Sequence, residues 1–360
     1  MLRVGIVGAG QMGAKRAREV ARDAGARLVL VVDREAHRAQ ALAEVYGCRA
    51  GTDWEALVAG PDVDAVVVAT PHRWLAPVAR GALEAHKHVL CEKPLATTPA
   101  EAAQLVASAL RNGSKLKTGF NHRHHPALWQ AHGLAQAGHI GRLMWIRCRY
   151  GHGGRARYES EWRANPVESG GGELMDQGIH ALDLFRWFLG EFSQVSATLQ
   201  SAFWPVPVED NAFCTLTTPG GQVASLHASW TQWKNLFSFE AFGEQGYLIV
   251  EGLGGSYGRE RLVIGRRPAE FGPPAEEQVE FADQDFSWAL EWEEFTSAIR
   301  GDLRPMADGF DGWQALRLAH AAYESARTGQ VISIAEGETD AEPGIYRGIS
   351  RGHQASSGDD

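Results

Sequence analysis

The sequence predicts an α/β chain in two parts: a doubly wound parallel sheet, then a second unit built on mostly antiparallel strands. Three observations predict it. The first third alternates short apolar runs with helical stretches, as a parallel sheet with crossover helices requires. A turn of the form Gly-x-Gly-x-x-Gly, Gly8-Ala9-Gly10-Gln11-Met12-Gly13, follows the first apolar run, and Asp33 closes the second. After Phe120 the alternation stops. Apolar segments then succeed one another across glycine turns such as Pro219-Gly220-Gly221, which read as hairpins.

Each element has a local reason. Leu2–Val7 is short and apolar, fit for a strand buried on both faces. Gly8 permits a tight turn, Gly10 lets backbone N–H groups approach a pyrophosphate, and Gly13 allows close helix–sheet packing. A helix from residue 12 to 22 adds the phosphate affinity of its N-terminus. The strand 27–32 runs into Asp33, where a carboxylate can accept hydrogen bonds from a ribose diol. A lone glycine pattern is weak. Framed by two apolar strands, a helix and an acid about twenty residues on, it specifies dinucleotide binding. Helices at 35–46, 52–58, 75–85 and 99–111 then alternate with strands at 65–69, 88–90 and 115–120. Pro99 suits a first helical turn, with Thr97 or Thr98 as cap.

In the second part a helix spans Pro126–Gln136 and a strand 142–150, followed by a Gly- and Arg-rich loop at 151–168. Gly170-Gly171-Gly172 introduces an amphipathic helix over 173–189. Strands are expected at 193–201, 211–218, 222–230, 237–242, 247–251 and 261–264, and helices at 287–300 and 310–328. The domains expected are 1–121 for the dinucleotide and 122–335 for substrate binding and oligomerisation. Residues 336–360 lack periodicity and are rich in Gly, Ser, Asp and Glu, the composition of a disordered tail.

Bulk composition narrows the function. At 44% hydrophobic and 22% charged, the 360 residues suit a globular protein. No apolar run reaches the roughly 18 residues of a membrane span, and the N-terminus enters a core strand rather than a signal peptide. A formal net charge of −9 argues against nucleic-acid or anionic-membrane partners. Cys48, Cys91, Cys148 and Cys214 show no paired spacing, which fits thiols in a reducing cytoplasm better than disulfides or zinc ligands.

Two constellations carry chemistry. Ala69-Thr70-Pro71 and Val89-Leu90-Cys91-Glu92-Lys93-Pro94 both end apolar strands, and strand C-termini face the cofactor crevice of a doubly wound sheet. Lys93 is there either a surface cation or, with its pKa lowered by burial, a catalytic acid or proton relay. Asp176 and His180 stand four apart on one helix, where a carboxylate can orient an imidazole as a base near neutrality. The plain alternative is a surface ion pair, but the triple glycine just ahead allows close ligand approach. The segment Asn121-His122-Arg123-His124-His125 has no carboxylate or cysteine at ligand spacing, so it reads as a polar junction with substrate contacts through Arg123, and no metal is expected. Tyr158, Trp162 and Arg163 are the loop's candidate substrate contacts, Trp162 as the wall of a sugar-shaped pocket. Arg155, Arg157 and Arg163 either recognise an anionic substrate group or solvate the loop. Trp204, Trp230, Trp233, Phe237 and Phe239 imply an apolar sheet face needing cover from a helix or a second subunit.

With these motifs the chain resembles the Gfo/Idh/MocA family of NAD(P)-dependent oxidoreductases, which includes glucose–fructose oxidoreductase and inositol dehydrogenase. The likeness runs over about residues 1 to 330. It rests on Gly8–Gly13, Ala69-Thr70-Pro71, Lys87 through Pro94, Gly119-Phe120-Asn121-His122-Arg123, and Gly170 through Asp183. The resemblance implies a Rossmann domain followed by an α/β domain whose large open, mostly antiparallel sheet forms a homodimer or homotetramer interface. It implies cofactor contacts from Gly8, Gly10, Gln11, Met12, Gly13, Asp33, Arg34, Thr70, Pro71, His72, Glu92 and Lys93. Lys93, Asp176 and His180 become the catalytic and substrate-binding set: His180 the base, Lys93 polarising or relaying, Asp176 orienting. It also implies a cis Lys93–Pro94 bond. One departure is visible: His72 stands where the family has Asn and Leu75 where it has His, so contacts from those two positions are open here.

The expectation is a cytoplasmic dehydrogenase moving hydride between nicotinamide and a secondary hydroxyl of a sugar, inositol or related polyol. Asp33 favours NAD over NADP by repelling a 2′-phosphate, with Arg34 as a partial offset. Two alternatives stay open: an enzyme that uses NAD transiently to cleave glycosides, and a non-catalytic dinucleotide-binding regulator.

Overall fold

A computed structural model describes residues 1–270 and 272–334; the tail expected at 336–360 lies outside the described residues. The first sheet holds β1 (Leu2–Val7), β2 (Ala26–Val32), β3 (Arg49–Gly51), β4 (Ala65–Val68), β5 (His88–Cys91) and β6 (Leu116–Thr118), all parallel, in the order β3-β2-β1-β4-β5-β6. Helices α1 (Gln11–Arg22), α2 (Ala36–Tyr46), α3 (Trp54–Ala59), α4 (His72–Glu84) and α5 (Pro99–Asn112) connect the strands. Strand order reverses between β1 and β4, which opens the ligand crevice at the strand C-termini. Thr98 caps α5: its hydroxyl accepts from the Glu101 N–H while the Glu101 carboxylate accepts from the Thr98 N–H. The strand β3 was not expected, since three residues carry no periodic signal.

The second part contains α6 (Pro126–Gln136), β7 (Leu143–Gly151), α7 (Pro166–Ser169), α8 (Ile179–Leu189), β8 (Gln194–Gln200), β9 (Asn211–Thr217), β10 (Val223–Ser229), β11 (Leu236–Gly243), β12 (Gly246–Glu251), β13 (Arg261–Arg266), β14 (Ala275–Glu280), α9 (Ser287–Arg300), α10 (Gly309–Thr328) and β15 (Ile332–Ser333). Its nine strands run β14-β13-β12-β11-β7-β10-β9-β8-β15. The sheet is mostly antiparallel, as expected, with one parallel pair, β7 and β10. The chain leaves β7 for the loop and α8 before returning as the meander β8-β9-β10, and a crossover of that length permits parallel pairing. The two edge strands, β14 and β15, went unread. Ala275–Glu280 carries three glutamates, the charged dress of an edge strand rather than an alternating pattern.

The Trp/Phe face expected to need cover takes part of it from a helix of the same chain. Trp230, Phe237 and Phe239 are buried within the chain, with Phe239 packed on Phe185 and Phe188 of α8. Alternation sends other residues outward. There Trp145, Phe242 and Tyr247 stack across β7, β11 and β12. The late helix α9 returns to the first sheet. Buried Arg16 of α1 bonds Glu92 at the end of β5 and Glu291 of α9, with its guanidinium over the Trp288 ring. Among the described residues no helix is long and apolar enough to cross a membrane.

Candidate functional site

The crevice begins at the glycine turn. Gly8 has φ of +102°, and a Cβ there would lie 2.4 Å from the Ala69 carbonyl oxygen. At Gly13 it would lie 1.8 Å from the Gly8 oxygen. Only glycine satisfies both approaches. Nothing lies within 4 Å of the Cβ position of Gly10, so that face is open. Gly10 caps α1 without a side-chain hydrogen bond, which leaves the N–H groups beginning at Gln11 and Met12 for an anion. Asp33 sits beside the turn, accepting from the Ala9 N–H at 2.7 Å and the Glu35 N–H at 2.9 Å. Arg34 is exposed and lies 3.6 Å from Glu35. The Thr70 hydroxyl is buried without a partner, and Pro71 caps α4. An open glycine face, an uncapped helix end, an adjacent acid and an orphaned hydroxyl together fit a dinucleotide.

Lys93 follows β5 through a cis Lys93–Pro94 bond. Its Nζ donates to Asp176 Oδ1 at 2.6 Å and also to the Asp176 carbonyl. Arg163 Nε donates to the other carboxylate oxygen at 2.9 Å. Burial pushes the Asp176 pKa up, but Lys93 and Arg163 outweigh it and hold the carboxyl well below its usual range. The Arg163 guanidinium lies 4.6 Å from the Trp162 ring, whose neighbour edge-on is His72 at 4.7 Å. His72 is buried with Nδ1 2.7 Å from the Ser169 carbonyl oxygen. Burial, then Lys93, pushes its pKa down to about 3.

His180 lies one turn beyond Asp176, yet no hydrogen bond joins them. The helix begins with a π turn, Leu174–Gly178, before α8, and this wide turn breaks the i, i+4 alignment of a regular helix. Asp176 grips Lys93 and Arg163 directly and acts on the imidazole only through its charge. His180 instead stacks on His122, ring centroids 3.9 Å apart, with Phe120 edge-on at 5.7 Å. Burial, and after it the Lys93 charge, hold His180 well below the ordinary histidine pKa. The ring is therefore neutral at pH 7, the state of a proton acceptor.

The structure thus brings together Lys93, Asp176, His180, Arg163, Trp162 and His72. It gives three other candidates partners inside the fold. Arg123 is buried and bonded to Asp183 and Asp311, so its charge is spent inside the fold. Tyr158 is fully buried against Trp230. The Glu92 carboxylate, proposed for the cofactor, is committed to Arg16. In the loop, Arg155 pairs with Glu161 and Arg157 is exposed. Sequence reasoning missed Gln177 and Tyr257, joined at 2.6 Å, with Tyr257 against Tyr150. Gln177 adjoins Asp176 and could have been flagged; Tyr257 comes from the β12–β13 connection and carries no local signal. His122 lay in the histidine-rich segment, whose rings have separate partners: Glu260 for His125 and Lys117 for His124. Among the described residues no group of three or more His, Cys, Asp or Glu is placed to hold a metal ion.

Fold and crevice define a dinucleotide-binding oxidoreductase with a second, mostly antiparallel sheet. Residues 2–120 match the oxidoreductase family with NAD-binding Rossmann fold, and residues 128–249 match the GFO/IDH/MocA C-terminal domain. The chain belongs to the Gfo/Idh/MocA family of NAD(P)-dependent sugar and inositol oxidoreductases. It is 30% identical to the 1,5-anhydro-D-fructose reductase of Ensifer adhaerens, covering 94% of this chain and 100% of that one. It is 29% identical to the inositol 2-dehydrogenase of Rubrobacter xylanophilus, covering 96% and 95%. Among solved structures, a levoglucosan dehydrogenase in complex with NADH and L-sorbose superposes with a TM-score of 0.85 at 25% identity, over 93% of this chain and 99% of that one.

Proposed function

We propose that this chain is an NAD-dependent dehydrogenase that oxidises a secondary hydroxyl of a sugar, inositol or related polyol, or reduces the matching ketone. One observation carries the reading: Lys93, clamped by Asp176, and neutral, buried His180 meet at the end of a crevice shaped for a dinucleotide. His180 takes the hydroxyl proton. Lys93 stabilises the developing alkoxide, Asp176, itself held by Arg163, keeps the lysine in place, and Trp162 offers an apolar wall to a sugar ring. The Gly8–Gly13 turn with Asp33, Arg34, Thr70 and Pro71 holds the cofactor, which supplies the hydride acceptor when bound. Asp33 favours NAD over NADP. The similar proteins solved with NADH, and those named as inositol and levoglucosan dehydrogenases, support a polyhydroxy substrate. The chain works in the cytoplasm, its cysteines unpaired, as a homodimer or homotetramer closed over the outward sheet face.

The test is a panel of sugars, inositols, anhydrosugars and sugar acids with NAD and with NADP. Net NADH accumulation with a panel member, and tighter binding of NAD than NADP, is the expected result. Glycoside cleavage without NADH accumulation would replace the reading, and so would NAD binding without turnover on any substrate.

A further inference from the structure

A line of buried titratable groups runs from His180 into the fold. His122, from the 3-10 turn Asn121–His124, stacks on His180 at 3.9 Å. His122 meets His125 edge-on, with ring centroids 5.5 Å apart. His125 Nδ1 lies 3.0 Å from Glu260 Oε2, while Glu260 Oε1 accepts from the Ala127 N–H. His180, His122, His125 and Glu260 are 5%, 4%, 2% and 3% exposed. The line ends at Glu260, whose side chain is buried while its chain neighbours Arg259 and Arg261 point to the opposite, exposed face.

Two ring nitrogens along this line, His180 Nδ1 and His122 Nε2, are buried without a partner. An unpaired buried polar atom costs about 1–3 kcal/mol, so two in contacting rings call for a function. The dehydrogenase reading, on which this inference rests, supplies one. Oxidation breaks the C–H and O–H bonds of the alcohol and forms C=O. The hydride pair goes to the nicotinamide and the proton goes to His180, so one proton per turnover must leave a buried ring. Lys93 already carries its charge on Asp176, and Asp176 is held ionised by Lys93 and Arg163. Neither is a ready sink.

We propose that His122, His125 and Glu260 form a proton-exit relay. It takes the proton from His180 and carries it to the Glu260 carboxylate, from which it leaves the fold; in the reductive direction the proton runs inward. The titratable and charged groups facing His180 are His122, Tyr150, Lys93, Asp176, His125 and Arg16, and those facing His122 are His180, His125, Tyr150 and Lys93, with Asn121 Oδ1 3.3 Å from its Nδ1. Burial holds both rings neutral, so either carries a proton only in passing. The transfer between the two rings runs at their edges, through a water bonded to the unpartnered His180 Nδ1 and His122 Nε2.

The test follows NADH absorbance and a pH indicator together in stopped flow, using the full chain and the fastest substrate of the panel above. In the wild type, NADH formation and proton release should coincide. His122→Phe keeps a stacking ring without a nitrogen. It should form NADH in the first turnover, release the proton late, and lower kcat by about 100-fold, the lower end for positioned proton transfer. Added imidazole buffer should restore the rate, and NAD binding by fluorescence titration should be unchanged. Glu260→Gln, which can still accept from Ala127, should show the same lag and rescue, and it decides the matter where His122→Phe does not fold. Synchronous release in both variants, or a slowed first turnover without buffer rescue, would overturn the relay. A wild type that binds NAD but forms no NADH with any substrate would overturn the dehydrogenase reading instead.

Discussion

Asp176 shows how far a residue's role can be read from spacing. Its separation from His180 suggests a carboxylate tuning an imidazole, whereas the fold gives that carboxylate to Lys93 and Arg163. Losing its charge should therefore act through the lysine. His180→Ala and Lys93→Ala should each lower kcat by on the order of 10²–10⁴ with NAD binding intact. Asp176→Asn should approach the loss of Lys93→Ala, and the double variant should be little worse than either single, because residues acting as a unit are not additive. Near-wild-type turnover in Asp176→Asn, or multiplying losses in the double variant, would contradict this. The other residues divide by the distance to their partners. Lys93, Asp176 and His180 were legible because each lies in a local motif. Arg123 was not: its partners Asp183 and Asp311 lie 60 and 188 residues away, and only tertiary contact shows that its charge is neutralised.

Among elements, the doubly wound sheet was legible because buried Val-rich strands and glycine turns are local signals, as in Ala65–Val68, buried throughout. The π turn at Leu174–Gly178 was not, since a period of 3.6 describes that stretch nearly as well. Nor was the outward face of the second sheet. Alternation in β11 could be read, but which side α8 would cover could not. That covered side takes Phe237 and Phe239, leaving the stack of Trp145, Phe242 and Tyr247 outside. On the assembly proposed above, this half-buried aromatic stripe is the surface that a second subunit would cover. The chain should sediment at a dimer or tetramer mass at micromolar concentration, and Trp145→Glu should shift it toward monomer with its circular dichroism retained. A wild-type monomer would refute the assembly.

For the whole molecule, the buried histidines set how stability depends on pH. His72 is pushed down to about 3, and His122, His124 and His180 lie well below their ordinary value, in each case chiefly through burial. Unfolded, each titrates near 6.5. Below that pH the unfolded chain binds protons that the folded chain refuses, so this part of the stability is fully present above about 6.5 and is lost as pH falls toward the folded values. The loss is roughly 1.4 kcal/mol per pH unit for each such ring. Glu173 opposes it: buried beside Asp176 with its carboxyl pushed well above the usual range, it stays protonated in the fold and contributes stability as pH falls. Glu209, Glu291, Asp183 and Asp308 are raised by burial as well, but basic side chains or hydrogen-bond donors hold each of them back. Four rings outweigh one strongly raised acid across the window just below 6.5. The thermal midpoint should therefore drop between about pH 7 and about pH 5, and the paired substitution His72→Phe with His122→Phe should flatten the dependence. A midpoint that held constant or rose over that interval would mean that these rings take up protons inside the fold.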